Sequence, residues 1–345
     1  MQISQFDYEL PADLIAQEPL EKRDASRMMV LDRKRLEWSD SAFKNFPEYV
    51  RPNDVLVINN TRVFPARIIG HRDPSGGRVE VLLVRELEPL LWEALVRPGR
   101  RLTEGSRIKF GKDRLLAEVL DAPGEELRRL RFECNGEWEA VLDEVGETPL
   151  PPYISRPSGA SKEDRERYQT LFASARGAIA APTAGLHFSA EITQEVLARG
   201  AKVEEITLHV GYGTFEPIHV ADSDQHHVAA ERFEISKDAA ESINSARKAG
   251  GRVIAVGTTT TRALESAIDA AGRLLPTKRE AELTITPGYD FRIVDALLTN
   301  FHLPRSSLLL LVSAFGGRDF ILDAYRHAVE SRYRFYSYGD CMLLI

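Results

Sequence analysis

The sequence of 345 residues contains little cysteine, no long hydrophobic run and no signal pattern at its start. Its two cysteines, Cys134 and Cys341, lack C-x-x-C spacing, which argues against a disulfide framework and against a cysteine zinc site. The longest apolar run, residues 308–312, is far too short to span a bilayer. The first residues include Asp7 and Glu9 and show no apolar h-region. These absences predict a cytoplasmic protein without a membrane segment.

Basic residues are also outnumbered by acidic ones. Lys and Arg number 45 against 52 Asp and Glu, and the formal net charge of −7 argues against a generally basic nucleic-acid binder. A local basic patch remains open, and one candidate is the cluster Arg97, Arg100 and Arg101. A solvated surface is the alternative interpretation of any such cluster.

The apolar pattern changes along the chain. Residues 54–59 (DVLVIN) predict a buried strand that runs into a polar loop. From about residue 67 to residue 134, short β-rich segments separated by Gly or Pro turns predict a small antiparallel sheet or barrel. After residue 152 strands and helices alternate, which is typical of a largely parallel sheet covered by helices. The β-rich part therefore reads as an insertion in an α/β domain.

In the alternating part, the patterns predict specific elements. The predicted strands are residues 178–181, 203–210, 252–257 and 307–314. The predicted helices are residues 189–199, 236–249, 261–271 and 319–332. Ser189 and Ser236 are placed to cap the first two helices.

Two of the strands adjoin loops rich in histidine, threonine and glycine. The loops read PTAGLHF and HVGYGTF, and their polar or flexible residues are Thr183, His187, His209, Gly211, Gly213 and Thr214. Loops at the carboxyl ends of parallel strands bind ligands in α/β proteins. The pattern therefore indicates an enzyme.

Three further strand ends carry polar side chains. The strand at 54–59 leads into Asn59, Asn60, Thr61 and Arg62. The run TTTTR places Thr258, Thr259 and Arg262 at a helix N-terminus, which suits an anion, a carboxylate or a ribose. The run LLTNFHLP contributes Asn300 and His302. The alternatives are a threonine-rich cap, a surface pair of Arg262 with Glu265, and a structural histidine.

The remaining signals concern the aromatic tail and the histidines. The tail RYRFYSYGD contains Tyr338 and Asp340, and its rings could pack in a core or stack on nucleobases. The eight histidines show no H-x-H, H-x-x-x-H or H-E-x-x-H spacing, so no metal site is predicted. Acid–base or hydrogen-bonding histidines fit better. The chain also lacks the G-x-S-x-G elbow of serine hydrolases.

Taken together, the motifs resemble one family, the S-adenosylmethionine:tRNA ribosyltransferase-isomerases of queuosine biosynthesis. The matching stretches include FDYELPADLIAQEP, DVLVINNTRVFPARIIG, WEALVRPGRRL, APTAGLHF, ITLHVGYGTFEPI, RVIAVGTTTTRALES, LLTNFHLPRSSLLLLVSAF and RYRFYSYGDCMLLI. They occur in order from one end of the chain to the other, which makes the resemblance highly specific.

The resemblance implies a fold and a reaction. The fold is an α/β-barrel-like main domain, residues 1–64 and 152–345, with a small antiparallel β-barrel inserted at 65–151. The reaction transfers the ribose of S-adenosylmethionine to 7-aminomethyl-7-deazaguanine at the tRNA wobble position and gives epoxyqueuosine-tRNA, adenine and methionine. S-adenosylmethionine is a substrate, no metal or redox cofactor is implied, and we expect a monomer that acts on tRNA without a membrane.

We assign hypothetical roles to the candidate residues from the demands of this reaction and from their positions in loops at predicted strand ends. His187, His209 and His302 would transfer protons, with Asp340 or Glu265 orienting one of them. Thr258, Thr259 and Arg262 would hold the methionine carboxylate, and residues 59–62 would contact ribose or deazaguanine. The further substrate-binding candidates are Thr183, Gly211, Gly213, Thr214, Asn300 and Tyr338.

Two positions depart from the family pattern, and two other functions remain open. Ala229 stands where the family usually has a second histidine, and Glu282 stands where it usually has an aspartate. One alternative function is a tRNA-binding module without catalysis. The other is a metal-dependent hydrolase that uses His209, His219 and His226.

Overall fold

The computed structural model describes residues 1–122, 126–157, 159–215 and 218–345, with residues 214 and 215 described by their backbone alone. The chain divides into two compact units. The main unit comprises Met1–Arg62, Pro152–Ser155 and Arg167–Ile345, and the inserted unit comprises Val63–Pro151 and Arg156–Glu166.

The segment Arg156–Glu166 thus belongs to the inserted unit, whereas the sequence assigned it to the main domain. A hydrogen bond explains the difference. Arg165 Nη1 donates to the carbonyl of Asp143 at 2.9 Å, which ties the segment to the inserted unit.

The described residues form eighteen strands, which supply one large sheet, one small barrel and one short ribbon. They are β1 (Arg27–Asp32), β2 (Glu37–Ala42), β3 (Val55–Asn59), β4 (Thr61–Val63), β5 (Arg67–Asp73), β6 (Arg78–Glu88), β7 (Leu91–Arg97), β8 (Arg107–Phe110), β9 (Leu115–Asp121), β10 (Leu127–Cys134), β11 (Gly146–Glu147), β12 (Ala175–Ala178), β13 (Lys202–Leu208), β14 (Glu231–Ile235), β15 (Val253–Val256), β16 (Thr277–Ala281), β17 (Ala296–Asn300) and β18 (Cys341–Leu344).

The main unit contains a nine-stranded sheet in the order β16-β14-β13-β3-β15-β17-β18-β1-β2. The four central strands β13, β3, β15 and β17 are parallel to one another. The strand β18 runs antiparallel to β17, and β1 runs parallel to β18. One edge of the sheet therefore collects the carboxyl ends of four strands and the amino ends of β18 and β1.

The sheet is mixed, so the expectation of a largely parallel sheet is wrong. The pairs β1–β2, β13–β14, β14–β16 and β17–β18 are all antiparallel. For β1 and β2 the reason is local, because a turn at residues 33–36 joins the two strands and no crossover helix intervenes.

Both faces of the main sheet are buried. In β3, Val55 and Val57 join one apolar cluster, while Leu56 and Ile58 join the cluster on the other face. Alternating side chains of a strand point to opposite faces, and a strand covered on both sides is apolar throughout. This explains why the run DVLVIN carries no polar alternation.

Seven α-helices occur in the described residues. They are α1 (Trp138–Val145), α2 (Lys162–Arg167), α3 (Ala190–Ala198), α4 (Lys237–Lys248), α5 (Thr258–Ser266), α6 (Ser307–Gly316) and α7 (Arg318–Glu330). Ser189 and Ser236 cap α3 and α4 as predicted, by accepting from the amides of Ile192 and Ala239. No helix in these ranges is long and apolar enough to cross a membrane.

The helix α6 corrects one sequence prediction, since residues 307–314 had been expected to form a strand. Ser306 caps this helix through the amide of Leu309 at 3.2 Å. The run Leu309–Val312 is buried on every side, and such a run lacks the period that separates a helix from a strand.

The inserted unit contains a closed antiparallel barrel. Its strands follow the order β5-β6-β7-β10-β9-β8, and a pairing of β8 with β5 closes the ring. The strand β11 adds to β5 outside the ring. The expected α/β fold class with an inserted antiparallel β-barrel is confirmed. The main domain is not barrel-like, because β16 and β2 form the two edges of its sheet and no pairing among the described residues joins them.

Candidate active site

A cleft in the main unit lies where the central parallel strands end. It has an empty volume of about 570 Å³, part of it open to solvent. The lining residues come from the segments that follow β12, β15 and β17 and from the tail, and they include Thr183, Thr258, Thr259, Asn300, His302, Tyr336 and Ser337. Five of the predicted site residues therefore meet in one place.

The junction of β15 with α5 supplies the hydroxyl groups. Gly257 has a φ of 94°, a conformation that favours glycine, and it lets the helix begin directly at the strand end. Thr260 and Thr261 donate to the carbonyls of Val256 and Gly257, four residues earlier. The hydroxyls of Thr258 and Thr259 have no hydrogen-bond partner among the described residues, and both residues line the cleft.

Asn300 connects the cleft to His187. Its Nδ2 donates to the carbonyl of Tyr336 at 3.0 Å and to His187 Nε2 at 3.3 Å. Because Nε2 accepts, the proton of His187 lies on Nδ1, which is 2.7 Å from Ser26 Oγ. Asn300 is 3% exposed, and its buried Oδ1 has no partner in the described part of the chain. A buried acceptor of this kind points to a ligand.

His302 contacts the cleft directly. Its Nε2 lies 3.0 Å from Thr299 Oγ1, and its backbone amide donates to Tyr325 Oη. Burial lowers the pKa of His302 from 6.5 to about 3 and is the first cause that lowers the pKa of His187 to about 4. Both imidazoles are therefore neutral at pH 7, and not poised near neutrality as general acids would be.

His209 lies at a different strand end. Its Nδ1 is 2.8 Å from Thr61 Oγ1, and burial lowers its pKa to about 4. The ring packs on the backbone of Gly177, where a Cβ atom would lie 2.7 Å from the imidazole. His209 is not among the residues that line the cleft.

The other residues of this strand end have mainly structural contacts. Asn59 bonds to the backbone of Thr61 and Leu208 through its amide group. Asn60 bonds to the side chains of Glu205 and Thr207. Arg62 is exposed.

Arg262 has a buried carboxylate partner, Glu231. The guanidinium bonds to Glu231 Oε2 and to the carbonyls of Leu283 and Ala281, while Glu231 Oε1 accepts from the amide of Gly211 at 2.9 Å. Arg262 also lines a smaller cavity together with Gly213, Thr258 and Thr259. A methionine carboxylate here would share the guanidinium with Glu231.

Glu265 and Asp340 do not orient a histidine, which corrects the sequence hypothesis. The carboxylate of Glu265 accepts from Tyr289 Oη and from the amides of residues 292–294. The carboxylate of Asp340 accepts from the amides of Arg27 and Arg334 at 2.9 and 2.8 Å. Both groups instead fix backbone segments. The side chain of Thr214 lies outside the described residues.

Sequence reasoning missed part of the cleft wall. Tyr153, Tyr168 and Tyr336 line it together with the predicted residues, while Tyr338 lines a neighbouring cavity. Two of these tyrosines lie in segments that the sequence analysis had noted, Tyr336 in the aromatic tail and Tyr153 directly after the prolines. Neither segment, however, indicated where its ring would lie. In the described ranges, no three His, Cys, Asp or Glu side chains form a group that could hold a metal ion.

The two buried neutral histidines predict how stability depends on pH. Unfolding returns each ring to a pKa near 6.5, so the unfolded state binds more protons as pH falls from about 6.5 to about 4. Each histidine contributes stability that is present above this range and is lost as pH falls through it, at about 1.4 kcal/mol per pH unit.

The free energy of unfolding should fall between about pH 6 and about pH 5. We expect His302→Asn to make this fall smaller by roughly the contribution of one buried neutral histidine. Urea unfolding at the two pH values measures it. Thr299→Ser is the control, because it changes an uncharged neighbour and should leave the pH slope as in the wild type. Equal slopes in all three proteins would contradict the assignment of His302 as a buried neutral group.

Comparison with known proteins gives a uniform result. The family model described as queuosine biosynthesis protein matches residues 3–344. The "S-adenosylmethionine:tRNA ribosyltransferase-isomerase" of Symbiobacterium thermophilum is 49% identical, and the protein of the same name from Halothermothrix orenii is 47% identical. Each alignment covers 100% of both chains.

A solved structure agrees with these relatives. The crystal structure of S-adenosylmethionine tRNA ribosyltransferase from Thermotoga maritima is 36% identical, with a TM-score of 0.54 over 99% of this chain and 100% of that one. The model match, the full-length identity and the shared fold have one consequence: the chain belongs to the queuosine biosynthesis protein family.

Proposed function

We propose that this protein is an S-adenosylmethionine:tRNA ribosyltransferase-isomerase. It transfers and isomerises the ribosyl group of S-adenosylmethionine onto 7-aminomethyl-7-deazaguanine at the wobble position of tRNA. The products are epoxyqueuosine-tRNA, adenine and methionine. The family and the names of the full-length relatives support this activity.

The observation that carries the proposal is the composition of the cleft. Tyrosine rings offer faces on which a purine can stack, and two threonine hydroxyls at the start of α5 suit a ribose or a carboxylate. A neutral imidazole, His302, lies in the same cleft. Nucleoside, amino-acid and proton-transfer functions are thus provided within one site.

The chemistry requires a base that acts on the ribose. The sulfonium of S-adenosylmethionine acidifies the C5′ protons, and a neutral imidazole is the form that can accept one. Burial lowers the pKa of His302 to about 3, which keeps the ring in this neutral form at pH 7. The departing adenine needs a proton at a ring nitrogen, so the proton removed from C5′ can serve there.

The remaining steps conserve atoms and electrons. The neutral aminomethyl nitrogen forms a bond to C1′ as adenine leaves, and loss of its proton breaks the C1′–O4′ bond to give an imine and an O4 oxyanion. The electron pair at C5′ then attacks the imine carbon, and this C–C bond converts the ribosyl group into a carbocycle. The O4 alkoxide finally displaces methionine from C5′ to close the epoxide. No oxidant or reductant enters, so we propose that no metal or redox cofactor takes part. Thr258 and Thr259 would hold the methionine carboxylate at the positive end of α5, while Arg262 keeps its ion pair with Glu231.

His187 has a positioning role in this proposal. It contacts Asn300, whose Oδ1 is left for the substrate, and it fixes the amide in one orientation. We propose that the enzyme acts as a monomer. We also propose a cytoplasmic location, which a tRNA substrate supports.

The direct test of the function is release of adenine. We expect adenine and methionine to form in equal amounts when the protein, S-adenosylmethionine and tRNA that carries 7-aminomethyl-7-deazaguanine are combined. Chromatography of the small molecules and nucleoside analysis of the RNA measure this. The control is the same tRNA with guanine at the wobble position, because it lacks the attacking amine. Adenine release that does not depend on the modified base would refute the transfer reaction.

The proton-transfer roles can be tested with alanine variants. We expect His302→Ala to slow single-turnover ribosyl transfer by about 10²- to 10⁴-fold, as loss of a general base does. His187→Ala should have a smaller effect, since it acts through Asn300. If His187→Ala, His209→Ala and His302→Ala all stayed within about threefold of wild type, the histidine proposal would be refuted.

The threonine hydroxyls can be tested by comparing positions on one helix. We expect Thr258→Val and Thr259→Val each to raise KM for S-adenosylmethionine about tenfold, since each removes a hydrogen bond to a charged substrate. The control is Thr261→Val, whose hydroxyl donates to the carbonyl of Gly257 and should affect stability but not KM. The same rise in KM for all three variants would contradict a carboxylate site.

A further inference from the structure

A second cavity of the main unit adjoins the cleft. It is lined by Pro19, Leu20, Arg23, Ser26, Arg167, Leu186, His187, Ser337, Tyr338 and Gly339. Ser337 lines both cavities, and His187 contacts Asn300 of the cleft wall. The two cavities therefore share one lining residue and meet at the contact between His187 and Asn300.

The second cavity carries arginines without acidic partners. Arg23 and Arg167 line it, and both are half-buried. Their hydrogen bonds go to backbone carbonyls, those of Leu186 for Arg23 and of Leu20 and Glu21 for Arg167. In the described ranges, neither guanidinium forms an ion pair.

The nearby carboxylates are engaged elsewhere. Asp24 accepts from Ser189 Oγ at 3.1 Å, and Asp340 accepts from two backbone amides. A third arginine, Arg334, bonds through Nη2 to the carbonyl of Glu18, while its buried Nη1 has no partner in the described part of the chain.

Two unneutralised guanidinium groups repel each other, and this repulsion contributes to a lowered pKa of Arg23. Burial first, and then the positive charge of Arg167, lower the pKa of Arg23. Holding like charges together in a partly desolvated cavity is unfavourable unless an anion binds between them. Guanidinium groups suit phosphate especially well, because their planar donors form paired bonds to its oxygens.

We propose that Arg23 and Arg167 bind a phosphodiester of the RNA next to the nucleotide whose base enters the cleft. The inference rests on the proposed function, since it requires RNA as the substrate. A base and its flanking phosphate are joined through one sugar, which suits two adjacent cavities that share Ser337. A carboxylate of S-adenosylmethionine would offer similar oxygens, but Thr258 and Thr259 already provide a site for it on the cleft side.

The test is direct binding of tRNA without S-adenosylmethionine. We expect Arg23→Gln and Arg167→Gln each to raise the dissociation constant about 5- to 20-fold at about 0.1 M salt. The slope of log K against log salt should become shallower by about 0.7 to 0.9 for a lost phosphate contact. KM for S-adenosylmethionine should stay within about twofold.

Two controls separate charge from general damage. Arg199→Gln removes an exposed arginine of the same unit, at the end of α3, and should leave tRNA binding unchanged. Arg167→Lys keeps the charge, so its salt slope should stay near that of wild type while affinity falls modestly. A variant that unfolds at lower temperature but binds tRNA like wild type counts against the proposal.

Unchanged affinity and slope in both glutamine variants would overturn the phosphate site. A raised KM for S-adenosylmethionine with unchanged tRNA binding would also overturn it and would assign the arginines to the methionine carboxylate. Either result would leave the proposed function intact if the wild type still released adenine. Wild-type protein that neither binds tRNA nor releases adenine would refute both proposals.

Discussion

The parallel hydrogen bonding of β13, β3, β15 and β17 is the constraint on which the site depends. Parallel neighbours must run in the same direction, so their carboxyl ends meet at one edge. Each end then turns into a loop or helix with polar groups, as β15 does at Gly257. Residues as distant in sequence as Thr258 and His302, which follow β15 and β17, meet for this reason.

Desolvation shapes the chemistry of that edge. The buried polar groups of the cleft are amides, hydroxyls and neutral imidazoles, while the charged Glu231 and Arg262 neutralise each other behind it. A neutral lining lets the cationic sulfonium approach without repulsion and keeps the imidazoles in the form that accepts protons. The neighbouring cavity instead carries the positive charges of Arg23 and Arg167, which would attract an anionic substrate backbone.

The sequence predicts the parts of the site that follow from a local pattern of apolar and polar residues. The strand ends at 59, 257 and 300 follow from apolar runs that stop at polar residues. The contributions of Ser26, Arg23 and Ser337 could not be predicted, because they lie at the amino ends of β1 and β18, and no local pattern shows that these strands run opposite to β17. Arg262 pairs with Glu231, and Glu265 accepts from the amides of residues 292–294. Contacts between residues so far apart in the sequence produce no periodic pattern from which they could be predicted. The segment 307–314 forms a helix and not the predicted strand. Burial on all sides makes its residues apolar throughout, so no helical periodicity of apolar and polar residues can be seen in the sequence.

The position of β18 has a consequence for how the protein is made. This strand is translated after every other strand of the sheet, yet it lies between β17 and β1 in the interior. Domains tend to fold as units while the ribosome is still at work. The inserted barrel can therefore close on the nascent chain, whereas the main sheet has a gap until residues 341–344 emerge. The edge that lines the cleft is therefore complete only after β18 has paired with β17 and β1.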